Sequence, residues 1–377
     1  MLEFEGSNCF RQRLILSTLT LKPMVIKNIR TNEDEVGLND YEINLLSLLE
    51  KITNGSTFEI DETGTRVECN PGMLIGGSVE HDCSLKRSIS YYLEVLFCFA
   101  PFCKEPLNVT LTGVTNDQID ASVDSLKSSA IPLLIKFMGI LDPADIELKL
   151  VSRGLPPNGG GVVTFKCPVR RVVKSLSFLK SGKVKRIRGV AFATRVAPSI
   201  ANRIVEAAKG HLLKCIPDVY IYTDHRHGKQ TGKSPGFGLS LVAETTNGAF
   251  YISDAVSNPS GSESGISIPE DVAVDAVFRL FEEIYRGGCV SSINQGLACL
   301  LMAVGETDVS KMQLGPLTPY CIQFLRHMQS FFHVTFKLEA EETEKIRSDG
   351  HEYKKGSQKI IATCVGIGLT NLSKTII

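Results

Sequence analysis

The sequence predicts an α/β (α+β) fold in which three repeated βαβαββ-type units form a large domain and a smaller α/β domain interrupts the third. Three observations predict it. Helical and strand-like apolar patterns alternate along the 377-residue chain. Equivalent punctuation recurs at equal spacing, with 83 residues from Pro23 to Pro106 and 81 from Asn39 to Asp120. The third copy breaks that spacing. Its second helix, opening at Thr318, comes 198 residues after Asp120, which leaves about 100 residues for an insertion.

In the first unit, FRQRLILSTLTL (10–21) spaces its apolar residues helically, and Pro23 opens the strand MVIKNI. NDYEINLLSLLEKITNG (39–55) is a helix with Tyr41, Leu45, Leu48, Leu49 and Ile52 on one face. Asn39 and Glu42 resemble a capping box, Asn54-Gly55 supplies the stop, and TFEI follows as a strand. The second unit reads CSLKRSISYYLEVLFCFA as helix, LNVTLTGV as strand, a helix from about Asp120, and the strand DIELKLV. The third reads NQGLACLLMAVG, SKMQLGPL, TPYCIQFLRHMQSFF and VTFKLE. The insertion holds the strand IRGVAFATRV, the helix SIANRIVEAAKGHLLKC, the strands DVYIYT and GLSLVAETT, and the helix EDVAVDAVFRLFEEIYRGG. The expected division is a large domain over 1–185 and 284–377, with an inserted domain over 186–283.

Composition narrows the function. Lysine plus arginine and aspartate plus glutamate both number 41, so the chain is no general polyanion binder and any nucleic-acid contact must be local. MLEFEGSNC carries acids where a secretion signal needs bases, and the apolar run YYLEVLFCFAPFC (91–103) is too short to span a bilayer. These features lead us to expect a soluble, non-secreted protein without membrane partners. Eleven cysteines without a C-x-x-C pair suggest buried thiols in a reducing compartment. Cys98 and Cys103, the closest pair, are read as part of that set, and no metal site is expected.

RGLPPNGGGVV (153–163) carries a resemblance. It is similar to the signature of the RNA 3'-terminal phosphate cyclases, an arginine-glycine opening followed by Pro-x-Gly-Gly-Gly. The three repeats with an insertion in the third resemble that family too, over nearly the whole chain. Membership would imply ATP-driven conversion of an RNA 3'-phosphate to a 2',3'-cyclic phosphate, through a histidine that attacks the α-phosphate. The sequence departs from that pattern where chemistry is needed. EGSNCFR keeps Glu5, Gly6 and Arg11 but not the family's glycine triplet, and Tyr320 stands where the nucleophilic histidine belongs. Thr318 and Pro319 suit the N-cap and first position of a helix, so residue 320 lies in a first turn where a phosphate would be welcome. A phenol with a pKa of about 10 is almost wholly protonated at neutral pH and a poor nucleophile. His327 and His333 lie too far along the helix to substitute.

The closer resemblance is to the cyclase-like branch of the family, through GGSVEHDC (76–83), TNDQIDASVD, YIYTDH, GKSPGFGLSLVAETT, EEIYRGGCVSS and VGIGLTNLSKT. That resemblance implies a nucleolar, nuclear ribosome-assembly factor of the small-subunit processome. It would bind a large nucleolar GTPase, contact processome proteins and pre-rRNA, and support early cleavages toward 18S rRNA. No cofactor is implied.

The remaining signals are local. GKQTGKS (228–234) is one residue short of a P-loop, but with Arg226, Lys229 and Lys233 it could meet RNA phosphate or a partner. VRRVVKSLSFLKSGKVKRIR (169–188) is the strongest basic stretch and nominates Arg170, Arg171, Lys174, Lys183, Lys185, Arg186 and Arg188 for RNA or partner binding. No aromatic platform accompanies it in sequence, so base stacking is not expected there. Glu80, His81, Asp82 and Cys83 point in different directions, and Asp82 is read as a helix cap. Asp224, His225 and His227 lack a distant second pair of ligands. Arg11, Arg153, Lys229 and Lys233 are the phosphate-contact candidates, with the 153–163 loop favoured as an inherited turn. Arg326 with His327 is the one compact pair that an alternative function, pre-rRNA cleavage, would use. Retained cyclase activity is a third reading.

Overall fold

The computed structural model describes residues 1–226, 228, 231–262, 265–341 and 356–370. The first unit contains β1 (Leu2–Glu5), α1 (Phe10–Thr20), β2 (Met24–Lys27), α2 (Asp40–Ile52), β3 (Thr53–Asn54), β4 (Thr57–Ile60) and β5 (Val67–Asn70). After β6 (Met73–Leu74), which pairs with β3, come β7 (Gly77–Asp82), α3 (Ser90–Phe99), β8 (Leu107–Gly113), α4 (Val123–Met138), β9 (Glu147–Ser152) and β10 (Gly161–Cys167). The third unit opens with β11 (Ser177–Phe178). Then intervene β12 (Val184–Thr194), α5 (Ser199–Leu212), β13 (Val219–Arg226), β14 (Gly236–Thr245), β15 (Phe250–Val256) and α6 (Pro269–Arg286). The third unit resumes with α7 (Gln295–Val304), β16 (Val309–Leu314), α8 (Pro319–Phe332), β17 (Lys337–Ala340) and β18 (Ile360–Val365).

Three sheets share one plan, in the orders β1-β2-β5-β4, β7-β8-β10-β9 and β11-β16-β18-β17. In each, the first pair is parallel and the rest antiparallel. A parallel pair needs a crossover, and α1, α3 and α7 supply it, the last after the insertion. Helices α1, α3, α7 and α8 pack on one another and carry the main apolar core, which runs from Phe10 to Cys364 in sequence. The fold is thus mixed α/β with a repeated βαβαββ plan. Nine of the eleven cysteines are buried, Cys98 and Cys103 among them.

The inserted residues build a fourth sheet, β13-β12-β14-β15, with α5 and α6 against one face. Their apolar side chains from Ile187 to Leu280 form a cluster of their own. The opposite face meets α4 along β14 and β15.

Local chemistry sets the helix ends. Glu42 accepts the Asn39 N–H at 2.9 Å and also takes both Arg30 guanidinium nitrogens at 2.7 and 2.8 Å. One expected cap is corrected. Helix α3 begins at Ser90, not near Cys83, and Asp82 lies in β7, where its carboxylate accepts the Thr112 hydroxyl. Strand alternation leaves Glu80 and Asp82 exposed and His81 buried.

Ser122 caps α4 by accepting the Ser125 N–H at 3.0 Å. Its own N–H and hydroxyl donate to Asp254 of β15 at 2.9 and 2.7 Å, and the Ser125 hydroxyl adds 2.9 Å. A carboxylate of the inserted sheet therefore holds a helix end of the main body. Ser122→Ala removes the cap and one donor to Asp254 together. The expected cost is about 2 kcal/mol, read as a lower urea midpoint with an unchanged m-value.

Candidate functional site

Thr318 accepts the Cys321 N–H at 3.1 Å and Pro319 follows, so Tyr320 sits in the first turn of α8 as its capping residues dictate. Its hydroxyl donates to Glu94 Oε1 of α3 at 2.8 Å. The other carboxylate oxygen of Glu94 lies 2.7 Å from Arg11 Nη1 of α1. Arg11 also donates to the Tyr91 carbonyl at 3.3 Å and stands 4.3 Å from the Tyr91 ring centre. Burial alone would lower the Arg11 pKa, but Glu94 and its neighbours hold it above the usual value. Burial pushes the Tyr320 phenol well above its ordinary pKa, and the Glu94 charge pushes it further. The phenol is thereby held protonated as a hydrogen-bond donor to Glu94. Arg11, Glu94 and Tyr320 border a cavity of about 260 Å³ with Ser90, Asp120 and Asn294.

Gln12, fully buried, fastens the next part of α8. Its amide nitrogen donates to the Tyr320 carbonyl at 2.8 Å, and its oxygen lies 3.0 Å from His327 Nδ1. His327 Nε2 lies 3.2 Å from Gln323 Nε2, and the ring meets Phe4 edge-on at 5.5 Å. Burial, then the Arg13 charge, lowers the His327 pKa to about 4, so the ring is neutral. Arg326 points instead to solvent, and among the described residues its guanidinium reaches only Gln323, at 3.4 Å. Successive helical residues diverge by about 100°. Arg326 and His327, nominated as a compact cleavage pair, therefore face different surroundings, the arginine toward solvent and the histidine toward the core.

The glycine loop and the GKS segment close on each other. Gly232 N–H donates to the Arg153 carbonyl at 2.6 Å, Lys233 N–H to Gly159 at 2.8 Å, and Asn158 N–H to the Ser234 hydroxyl at 3.0 Å. A Cβ on Gly232 would run into the Gly159 carbonyl, and one on Gly154 into Gly161. Those N–H groups are spent within the protein, an arrangement suited to a turn. Arg153 is 1% exposed, donates to Asp124 at 2.7 Å, Asp224 at 3.0 Å and Asn116 at 2.9 Å, and lies 4.2 Å from the Phe192 ring centre. Its guanidinium is thus enclosed by carboxylates of the protein itself, and a phosphate contact there would need those pairs to open. Arg226 belongs to β13 and pairs with Asp224 at 2.9 Å. The Lys233 side chain is exposed, whereas Lys229 and His227 lie outside the described residues.

The basic stretch is partly neutralised. Lys185 and Arg186 share Glu244 of β14 at 2.6 and 2.5 Å, and Arg188 pairs with Asp218 at 2.7 Å. Arg171, Lys174 and Lys183 are exposed, and Arg170 is half-buried. The expected lack of aromatic neighbours is corrected as well. Parallel pairing of β12 with β13 sets Tyr220 beside Arg188 and Tyr222 beside Val190. The two tyrosines are 51% and 56% exposed. Strand alternation with the buried Ile221 could have flagged them as a pair, but only the pairing places them next to the bases.

With this geometry in place, the comparisons define the class. The RNA 3'-terminal phosphate cyclase profile matches residues 2–338, and the chain belongs to that family. Among curated relatives, the human RNA 3'-terminal phosphate cyclase-like protein is 56% identical over 375 residues, covering 100% of this chain and 98% of that protein. A Drosophila melanogaster protein named a probable RNA 3'-terminal phosphate cyclase-like protein is 49% identical, with 99% and 97% covered. The Schizosaccharomyces pombe rRNA processing protein rcl1 is 38% identical, with 99% and 98% covered.

Two outcomes are expected from the site. Incubation with labelled ATP and a divalent cation should leave the natural protein unlabelled, because Tyr320 keeps its proton. An acid-labile labelled band on it would refute that assignment. The second concerns pH. A histidine whose folded pKa is depressed stabilises the fold above its unfolded value of about 6.5 and loses that contribution as pH falls toward 4. His327→Gln removes the titration, so its unfolding free energy should fall less between pH 7 and 4 than the natural protein's. The difference should be on the order of 3 kcal/mol, read from urea unfolding.

Proposed function

We propose that the protein is a ribosome-biogenesis factor that acts in rRNA processing and does not cyclise RNA ends. In the finer reading it belongs to the small-subunit processome and works in the nucleus, within the nucleolus. There it binds a large nucleolar GTPase and neighbouring processome proteins, and supports the early pre-rRNA cleavages toward 18S rRNA. The observation that carries the reading is the pairing of a cyclase-family fold with a tyrosine locked to Glu94 in the nucleophile's place. The fission-yeast relative named as an rRNA processing protein supports the direction of that change in function. A large domain over 1–185 and 284–377, with 186–283 inserted, is our proposed division, supported by the separate apolar cluster of the inserted residues. Pre-rRNA cleavage by the chain itself is not favoured, since Arg326 and His327 face different surroundings.

Depleting the protein from its own cells should lower mature 18S rRNA and accumulate precursors uncut on the 5' side, with large-subunit rRNA spared. The protein should co-purify with a GTPase of early small-subunit particles. Unchanged 18S rRNA after full depletion would overturn the reading.

A further inference from the structure

One face of the inserted sheet is only half covered. Helices α5 and α6 pack on the side of Ile187, Ile221 and Leu241. On the other side α4 covers β14 and β15 and Arg153 covers Phe192 of β12, so that among the described residues the part of β12 and β13 around Arg188, Tyr220 and Tyr222 faces solvent. Because side chains alternate, Arg186, Arg188 and Val190 of β12 share that open half with Tyr220 and Tyr222 of β13. The register sets Arg188 between Tyr220 on one side and Val242 on the other.

The tyrosine rings meet edge-to-face, with centroids 4.5 Å apart and planes at 69°. Such a contact uses at most one ring face, so aromatic surface is left facing water. Neither hydroxyl has a hydrogen-bond partner among the described residues. Exposed paired tyrosines on a sheet contribute nothing to a core, and they are amphipathic in the way binding surfaces require.

Charge completes the surface. Lys183, Lys185, Arg186, Arg188 and Arg226 stand on and around the open half, against Asp218, Asp224 and Glu244. Lys185 and Arg186 share a single carboxylate, so one positive charge remains over. Arg188 meets Asp218 through two contacts of 2.7 and 3.1 Å, with its own side chain partly buried and the aspartate exposed, so solvent and salt weaken the pair and a phosphate can compete for the guanidinium. Asp224 is held by Arg153 and Arg226 at the far end.

We propose that this open half-sheet binds unpaired RNA, with Tyr220 and Tyr222 stacking on bases and Lys185, Arg186 and Arg188 meeting the backbone. Because the rings stand edge-to-face with centroids 4.5 Å apart, they present differently oriented faces on which two splayed bases can stack. A four-stranded sheet with helices behind and aromatics in front is also how RNA-recognition modules stack two or three bases. A basic peptide partner is disfavoured by the cations. An acidic peptide is less suited than RNA, because it offers nothing flat for the two rings. The proposal rests on the rRNA-processing reading and assigns that reading a contact surface.

The test uses the full chain and fluorescein-labelled 12-nucleotide oligo(U), oligo(A) and a 12-base-pair RNA duplex, followed by anisotropy. The oligonucleotides should bind and the duplex should bind more weakly. Tyr220→Ala/Tyr222→Ala should weaken oligonucleotide binding at least about tenfold, while Tyr220→Phe/Tyr222→Phe stays within about twofold. The alanine pair should leave the salt slope unchanged, whereas Arg186→Gln/Arg188→Gln should flatten it. Circular dichroism and thermal melting confirm that each variant is folded. Equal binding by the folded alanine pair, equal loss in the phenylalanine pair, or no oligonucleotide binding at all would each overturn the proposal. So would tyrosine-dependent binding of a glutamate-rich 12-mer peptide in place of RNA. Depletion of the protein from cells separates the two ideas. If 18S rRNA falls but the tyrosines do not matter for RNA, the surface is wrong and the processing role stands. If 18S rRNA is unaffected, the processing role fails whatever the oligonucleotides do.

Discussion

Glu94 is the point through which the three repeats meet. Its carboxylate takes Arg11 of α1 on one oxygen and Tyr320 of α8 on the other, so each unit contributes one side chain. Hydrogen bonds to an ionised group are stronger than neutral ones, and leaving a half-buried carboxylate unpaired is costly. The adjacent residue on α1 repeats the tactic, because Gln12 holds the Tyr320 carbonyl and His327 together. These contacts tie the first turn of α8 to α1 and α3. A histidine nucleophile must present a free ring nitrogen to a phosphate. A tyrosine donating to Glu94 presents none.

A second lock joins the inserted sheet to the main body. Arg153 brings Asp124 of α4 and Asp224 of β13 to one guanidinium, over the Phe192 ring. Burial alone would favour the neutral form, yet two carboxylates keep Arg153 charged, its pKa raised above normal. The interlocked glycine loops reach the same result with backbone atoms. Gly154, Gly159 and Gly232 are needed because chain meets chain without room for a side chain. A glycine-rich loop can bring its N–H groups to a ligand or to another loop, and its sequence does not say which.

What was legible in the sequence follows from the range of the forces involved. The helices α1, α2, α7 and α8 were readable because apolar period and caps are local, and equal spacing exposed the repeat and its interruption. The strands β1, β5, β10 and β18 are not evident from local pattern, since each is stabilised by partners elsewhere in the chain. The helix expected from Cys83 starts at Ser90 because Asp82 finishes a strand, paired in parallel with β8. Arg326 and His327 looked like a pair because they are adjacent, and adjacency on a helix separates side chains. The basic stretch looked uniform because Glu244 and Asp218 lie on other strands. The same long-range pairing hid Tyr220 and Tyr222.

These locks and the open half-sheet place opposite demands on polar groups. At Glu94 and Arg153 every charge is matched, so the geometry is fixed and little is left for a ligand. On β12 and β13 the pairs of Lys185, Arg186 and Arg188 lie nearer the surface, where solvent and salt weaken each one. A chain with zero net charge gains no general attraction for RNA, so discrimination must come from where its cations lack tight partners. On β12 and β13 such surface pairs stand beside the exposed rings of Tyr220 and Tyr222. An exposed sheet of this kind suits an extended chain, whereas the charges at the cavity beside Glu94 are already paired within the protein.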